Sequence, residues 1–446
     1  MKNWKKIVGF MLCLCMTLGL MAGCSSKEEG KEEAGTRAET ESDADTDTKT
    51  EVQNGGEIVT LTFMRTGTPE VLREIFDPII ASFEEEHPNI KIDMQDLGWA
   101  DAEKTMQIMA SSQTLPDVMY HLPATIFDLA DKGLIEDLTP YLDDELKEDM
   151  YASLLEAGKY NDKQYMITCG GTTLLYWYNT ELFEQAGLDP DNPPSTWEEF
   201  LEAAKAIDEK TDAAGVAMYG SPAGGETSFF FESLFASEVG GETWNGERYT
   251  YDLEENREAA LNTLNFIKEM TQYSQGSVEE FGRFDIRTLL RDGNVGMALD
   301  AINMQNQIQD GLDSGKFRVA QLPAGNSGKQ ISAVNAGGFF IPTNSEHKEE
   351  AWTFLRYLMN TDNQKAHSTY GSIPVLQSEA AKYAGNAYYE IVIQSVSDSV
   401  PEGITPKTNS LWQVTGEQLQ LLMMGNQDAE TTLDNIIAGH QEIYEE

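Results

Sequence analysis

The chain has 446 residues, with 75 acidic against 31 basic side chains and a formal charge of −44 at pH 7. A phosphate backbone needs a basic face to bind, and no run of this chain supplies one, which excludes nucleic acid as a partner. Acidity of this kind keeps a protein soluble at an exposed, salty surface.

Residues 1–23 read as a secretory signal peptide. Met1 to Lys6 is a basic start, and Ile7 to Leu20 is an apolar run broken only by Gly9, Thr17 and Gly19. The run is shorter than the ~20 apolar residues that a spanning helix needs, and it ends in the small residues Ala22 and Gly23, so cleavage is expected. Leu20-Met21-Ala22-Gly23-Cys24 resembles the bacterial lipobox, with Met21 where that pattern usually has Leu. The resemblance implies a lipid on the Cys24 thiol and a cut just before it. Residues 24–57 then read as a flexible tether: Glu28 to Glu51 holds ten acidic and three basic residues and almost no large apolar one. Such a segment buries too little apolar surface to offset the entropy of ordering it. Lipid and spacer together would confine a folded domain to the outer face of a membrane.

Cys13 and Cys15 leave with the signal and Cys24 is spoken for, so Cys169 is alone in the folded part and no disulfide framework is expected. The chain beyond the tether exceeds the size at which one hydrophobic core stops growing, which makes two domains the expectation.

Ile58 to Met64 alternates as a strand, and Glu70 to Glu86 carries Val71, Leu72, Ile75, Ile79 and Phe83 at helical spacing, stopped by Pro88-Asn89. Ile90 to Met94 is a second strand, Asp101 to Ser112 a second helix, and Asp117 to Tyr120 a third strand, before a helix that begins near Pro123. This alternation predicts an α/β fold, a sheet with parallel strands and helices on both faces. Ligands of such sheets bind beyond the carboxyl ends of the strands, where Arg65-Thr66-Gly67, Gly98-Trp99 and Tyr120-His121 stand.

Four later blocks carry a family resemblance. They are Thr114 to Tyr120 with Leu129 to Pro140; Tyr178 to Leu188 followed by Pro194 to Leu201; Arg291 to Leu299; and Gly337 to Pro342 followed by Glu350 to Leu358. In this order, behind a lipobox, they resemble the family 1 extracellular solute-binding proteins of ABC importers, which take up sugars and oligosaccharides. The blocks also read as scaffold. Asn179 or Thr180 caps a helix that Gly187 ends, and Ser195 or Thr196 caps the next, where Trp197, Phe200, Leu201 and Ala204 make one apolar stripe. Trp197 is therefore expected in a core.

The resemblance implies a two-lobe, periplasmic-binding-protein-like fold of type II with the ligand cleft between the lobes and closure about a hinge. It puts the chain crossings near Cys169–Thr172, Asp300–Asn303 and Gly337–Pro342. Lobe 1 is then 58–169 plus 301–338, and lobe 2 is 170–300 plus 339–446. It further implies a monomer that delivers its ligand to membrane permease subunits, with no cofactor.

Sugar sites pair flat apolar surfaces with planar polar groups. Trp99, Trp244 in the loop Gly240 to Gly246, and Trp412, which joins no helical stripe, are the candidate stacking residues. Tyr120 and His121 end a strand, Thr172, Asp300 and Gly338 occupy the expected crossings, and Arg65 ends the first strand. Asp300 is the sharpest candidate, because a carboxylate accepts two hydroxyl bonds at once; its alternative is a helix cap.

A secreted glycoside hydrolase would share the acidity and the tryptophans, and so many carboxylates make some suitably spaced pair inevitable. However, G-x-S-x-G, G-x-x-x-x-G-K-[ST] and G-x-G-x-x-G motifs do not occur. The histidines at 87, 121, 347, 367 and 440 form no H-E-x-x-H or close pair, so neither catalysis nor a metal is expected. A sensor lipoprotein, or a carrier of polyamines or metal ions, would keep the same fold.

Overall fold

A computed structural model describes residues 58–221, 225–368 and 371–445. The signal peptide, Cys24 and the whole of the tether lie outside the described residues.

The first alternation is β1 (Val59–Thr66), α1 (Pro69–Glu86), β2 (Ile90–Leu97), α2 (Trp99–Ser112), β3 (Val118–His121) and α3 (Pro123–Asp131). Leu72, Ile75, Phe76, Ile79 and Phe83 turn one stripe of α1 into the core, while Pro69 opens the helix where a missing N–H costs nothing. Asp117 ties the start of β3 to β1, accepting from Thr62 N at 2.8 Å and Thr62 Oγ1 at 2.7 Å.

Two short helices, α4 (Asp144–Asp149) and α5 (Ala152–Glu156), and the hairpin β4 (Lys159–Tyr160) and β5 (Lys163–Gln164) lead into the long strand β6 (Ile167–Asn179). Helix α6 (Thr180–Ala186) is capped by Asn179, which accepts from Glu181 N and Leu182 N, and ends at Gly187. Helix α7 (Trp197–Lys210) opens with a capping box between Thr196 and Glu199.

The chain continues through β7 (Ala214–Ala217), α8 (Glu226–Val239), α9 (Arg257–Met270), α10 (Arg283–Arg291), β8 (Val295–Ala301), α11 (Gln305–Ser314), β9 (Phe317–Gln321) and β10 (Ala333–Phe340). It closes with α12 (Lys348–Leu358), α13 (Thr361–Ser368), α14 (Gln377–Ala380), α15 (Ala387–Ser397), β11 (Val400–Pro401), α16 (Thr408–Met423) and α17 (Ala429–Glu445).

Among the described residues, nine strands form one mixed sheet with the central order β2-β1-β3-β10-β6-β8-β7; β9 lies on β6 and β11 on β10. β1 is parallel to β2 and β3, whereas β10 is antiparallel to β3 and β6. The length of β6 joins two half-sheets: its first part, Ile167 to Thr173, pairs with β10, and its second, Leu174 to Tyr178, pairs with β8.

Chain membership of the halves departs from the sequence expectation in two places. Strand β9, inside the 301–338 segment assigned to lobe 1, pairs with β6 over Leu175 to Asn179, beside β8 and away from β1 to β3. The chain therefore does not change halves at Asp300–Asn303. Conversely α12, inside 339–446, packs on α1 and β1. Strand partners are set by long-range register, and nothing local in Phe317 to Gln321 declares a partner. The α15, α16 and α17 helices do lie with the β6–β8 half, against β9, α8 and α9.

Candidate functional site

A cleft of about 880 Å³ opens between the two halves. One wall carries Phe127 of α3, Tyr151 before α5, and Tyr160 of β4; the other carries Glu242, Trp244 and Asn245, from the loop after α8. Val334 of β10 and Val400 to Glu402 contribute to the lining between them. Its volume falls within the range of small-molecule sites, about 300–1,000 Å³.

Local chemistry explains how each wall is held. Phe127 stacks on Tyr160 with centroids 5.5 Å apart. Asn161 and Asp162 take positive φ angles of 49° and 61°, the left-handed turn that Asn and Asp tolerate, and so hold the β4–β5 tip at the cleft. Opposite, Gly240 ends α8 in the left-handed region, and Trp244 meets Tyr249 edge to face at 5.2 Å. The Tyr249 hydroxyl donates to Gly403 O at 2.8 Å, which fixes the chain just after Glu402.

Glu402 faces this cleft while only 6 % exposed. Its Oε2 accepts from Asn335 Nδ2 at 2.5 Å, and its Oε1 has no hydrogen-bond partner among the described residues. Close by, Glu232 Oε1 accepts from Thr243 Oγ1 and from Gly403 N. Burial pushes the Glu232 carboxyl up to about 7 and Glu402 well above the usual carboxylate range, the latter helped by the charge of Glu232. The protonated form that burial favours can donate as well as accept.

A second buried polar group lies on the β6–β8 half. Asp300, fully enclosed at the end of β8, receives Arg287 Nε at 2.5 Å, Arg283 Nε at 2.8 Å and the Ala301 N–H at 2.7 Å. Arg287 Nη2 also donates to Asn303 Oδ1 at 2.6 Å. Around this ion cluster Arg283 Nε and Nη2, the Tyr219 hydroxyl and Trp412 Nε1 are buried without hydrogen-bond partners among the described residues.

The expected site residues fall into separate groups. Trp244 lines the cleft. Arg65, Tyr120 and His121 meet at the ends of β1 and β3: the Arg65 guanidinium carbon lies 3.2 Å from the centre of the Tyr120 ring, and burial lowers His121 to about 4. Gly338 pairs with His121 across β10, where a Cβ would run into Ile167 O, so only glycine fits. Thr172 Oγ1 accepts from Ile302 N at 3.1 Å and ties β6 to the end of β8. Asp300 has its oxygens occupied by the two arginines and Ala301, so it serves the arginines and not a helix cap. Trp99 is the first residue of α2.

Trp412 does join a helical stripe, contrary to the sequence reading. Helix α16 starts at Thr408, and Leu411, Thr415, Leu419 and Leu422 line its buried side. The interposed threonine and Gly416 dilute that stripe in the sequence.

Tyr151, Tyr160, Tyr219, Arg283 and Glu402 are not legible from sequence. The first two sit in elements too short for any periodicity, and Glu402 gains its burial from distant partners, Asn335 and the Thr243 loop.

With this fold and cleft in place, the chain is one of a two-lobed class whose members hold a solute between halves of a mixed sheet. Residues 68–365 match the family described as bacterial extracellular solute-binding protein, and the chain belongs to that family. Its task is binding, not catalysis. A binding protein of Brucella abortus (strain 2308) is 27 % identical over 371 residues, covering 81 % of this chain and 88 % of that one. The sn-glycerol-3-phosphate-binding periplasmic protein UgpB of Agrobacterium fabrum is 24 % identical over 294 residues, covering 59 % of this chain and 63 % of that one. The crystal structure of an ABC transporter solute-binding protein from Thermotoga lettingae, bound with α-D-tagatose, superposes with a TM-score of 0.73 at 22 % identity, covering 86 % of this chain and all of that one.

Proposed function

We propose that this protein captures a sugar or oligosaccharide outside the cell and hands it to the permease of an ABC importer. The cleft between the half-sheets carries the reading: Phe127, Tyr151, Tyr160 and Trp244 offer flat apolar surface, and Asn161, Asn245 and Glu402 offer hydrogen bonds, the pairing that sugar rings require. The tagatose bound to the Thermotoga protein supports the same class of ligand.

In this reading one lobe is built on β1, β2 and β3 with α12 and α13, and the other on β7, β8 and β9 with α8, α16 and α17. Strands β6 and β10 and the segment after α14 would be the crossings, and closure about them would trap the ligand. A lipid on Cys24 and the acidic tether would keep a monomeric receptor beside the membrane on its outer face, where the closed form docks on the permease.

Thermal-shift screening of the purified protein against mono- and oligosaccharides tests the reading. A ligand present at a hundred times its Kd stabilises the native state by about 2.7 kcal/mol, a readily measured shift. A panel in which no sugar shifts the melting temperature, with hydrolysis of a glycan instead, would overturn it.

A further inference from the structure

We infer that Tyr219, Arg283 and Trp412 form a cradle of hydrogen-bond donors for the oxygen atoms of an uncharged sugar. The inference rests on the sugar-binding reading and narrows it to a class of sugar and a set of contacts.

The three side chains come from different elements: Tyr219 follows β7, Arg283 opens α10 and Trp412 lies in the first turns of α16. They meet around Gly225 and Glu226 at the start of α8. Gly225 lies so close to Trp412 that a Cβ there would run into the indole, and Arg283 Nη1 is 3.6 Å from Glu226 Oε1. The Tyr219 phenol feels the charges of Arg283, Asp300 and Glu226.

Arg283 does not float in this group. Arg283 Nε lies 2.8 Å from Asp300 Oδ1 in an ion pair that Arg287 shares, and among the described residues neither Nε nor Nη2 has a hydrogen-bond partner. The Tyr219 hydroxyl and Trp412 Nε1 are also left over, each in a residue that is nine-tenths or more buried. Burying a donor without an acceptor is costly, and three such donors in the neighbourhood of Gly225 and Glu226 suit a place where acceptors arrive with a ligand.

Charge decides which acceptors. The two guanidinium groups of Arg283 and Arg287 are matched by the carboxylates of Asp300 and Glu226, so an anion would find no uncompensated positive charge. An ammonium group would meet the Arg283 charge and the Trp412 N–H, with only the Tyr219 hydroxyl oxygen and the Glu226 carboxylate, already paired with Arg283, to accept its protons. Hydroxyl and ring oxygens of an uncharged sugar satisfy all three, and a site built to hydrogen-bond them rejects analogues that leave its groups unpaired.

Calorimetric titration of the purified full chain tests this with maltotriose, cellotriose and xylotriose as uncharged probes, trigalacturonate as the acidic probe and chitosan trimer as the amine-bearing one. An uncharged trisaccharide is expected to bind in preference to both charged ones. Tyr219→Phe and Arg283→Gln should each weaken it at least tenfold. Tyr219→Phe removes only a hydroxyl without a partner, so its melting temperature without ligand should equal or exceed the parent's, and it keeps the test valid if Arg283→Gln folds poorly. An uncharged sugar bound equally by parent and Tyr219→Phe, or tighter binding of either charged probe, would overturn the cradle and leave sugar capture standing. Failure of every sugar to bind would overturn both.

Discussion

His367 on α13 joins Arg65 on β1 to Cys169 on β6: Nε2 lies 3.1 Å from Arg65 Nη2, and Nδ1 lies 2.6 Å from Cys169 O. A carbonyl can only accept, so Nδ1 carries the proton and Nε2 accepts from the guanidinium. Burial, with the Arg65 charge adding to it, lowers the imidazole to about 3 and keeps it neutral. This contact fastens the α12–α13 segment to the β1 half, on the opposite side from its expected lobe.

Replacing His367 with Leu strands both partners and should cost roughly 2–3 kcal/mol at pH 7, the scale of a lost hydrogen bond to a charged group. The gap should depend on pH. As pH falls below the ordinary histidine value towards 3, the unfolded chain takes up a proton that the native imidazole refuses, so the parent loses stability that the Leu variant never had. Urea unfolding at pH 7 and pH 5 should show the gap narrowing on acidification; a constant gap would contradict the neutral assignment.

Asp300 is the hub of two arginines, and its removal leaves two buried cations unmatched. Asp300→Ala should lower stability by about 3–5 kcal/mol. Chemical denaturation checks this; a variant as stable as the parent would show that the ion cluster carries no structural weight.

Glu379 gives a pH effect of the opposite sign. Its Oε2 accepts from Val375 N at 3.0 Å, its Oε1 has no hydrogen-bond partner among the described residues, and burial raises it to about 7. Between the ordinary carboxylate value and 7 the unfolded chain ionises while the native one holds its proton, so stability falls as pH rises through that window. Glu379→Gln should therefore gain on the parent between pH 4.5 and pH 8, measured as a growing difference in melting temperature.

Two tryptophans separate scaffold from site. Trp197 stacks on Phe266 at 4.3 Å with the rings parallel to within 2°. Trp197→Ala should cost about 2 kcal/mol of stability and leave ligand affinity alone, less than the loss at a fully buried Trp. Trp244→Ala should do the reverse, weakening the sugar with little change in the melting temperature of the free protein.

How much the sequence disclosed depends on the range of each signal. The α1 stripe, the Asn179 cap and the Thr196–Glu199 box are written within a few residues, and each element formed where the pattern put it. Partnerships across the chain were hidden: β9 needed β6, Asp300 needed Arg283 and Arg287, and Glu402 needed Asn335 to become buried. Aromatic residues showed the same limit. Trp244 could be read from its glycine-bounded loop, whereas Tyr151 and Tyr160 face the cleft only because α3 and the Trp244 loop stand opposite and beside them.

The most direct measurement is a calorimetric titration of the purified protein with the sugar that gives the largest thermal shift, repeated on Trp244→Ala. One sugar per chain, bound with a Kd in the micromolar range or tighter and weakened at least tenfold by the substitution, is the expected result. Equal affinity in both proteins would remove the sugar from this cleft, and heat from steady turnover in place of a saturating isotherm would make the protein an enzyme.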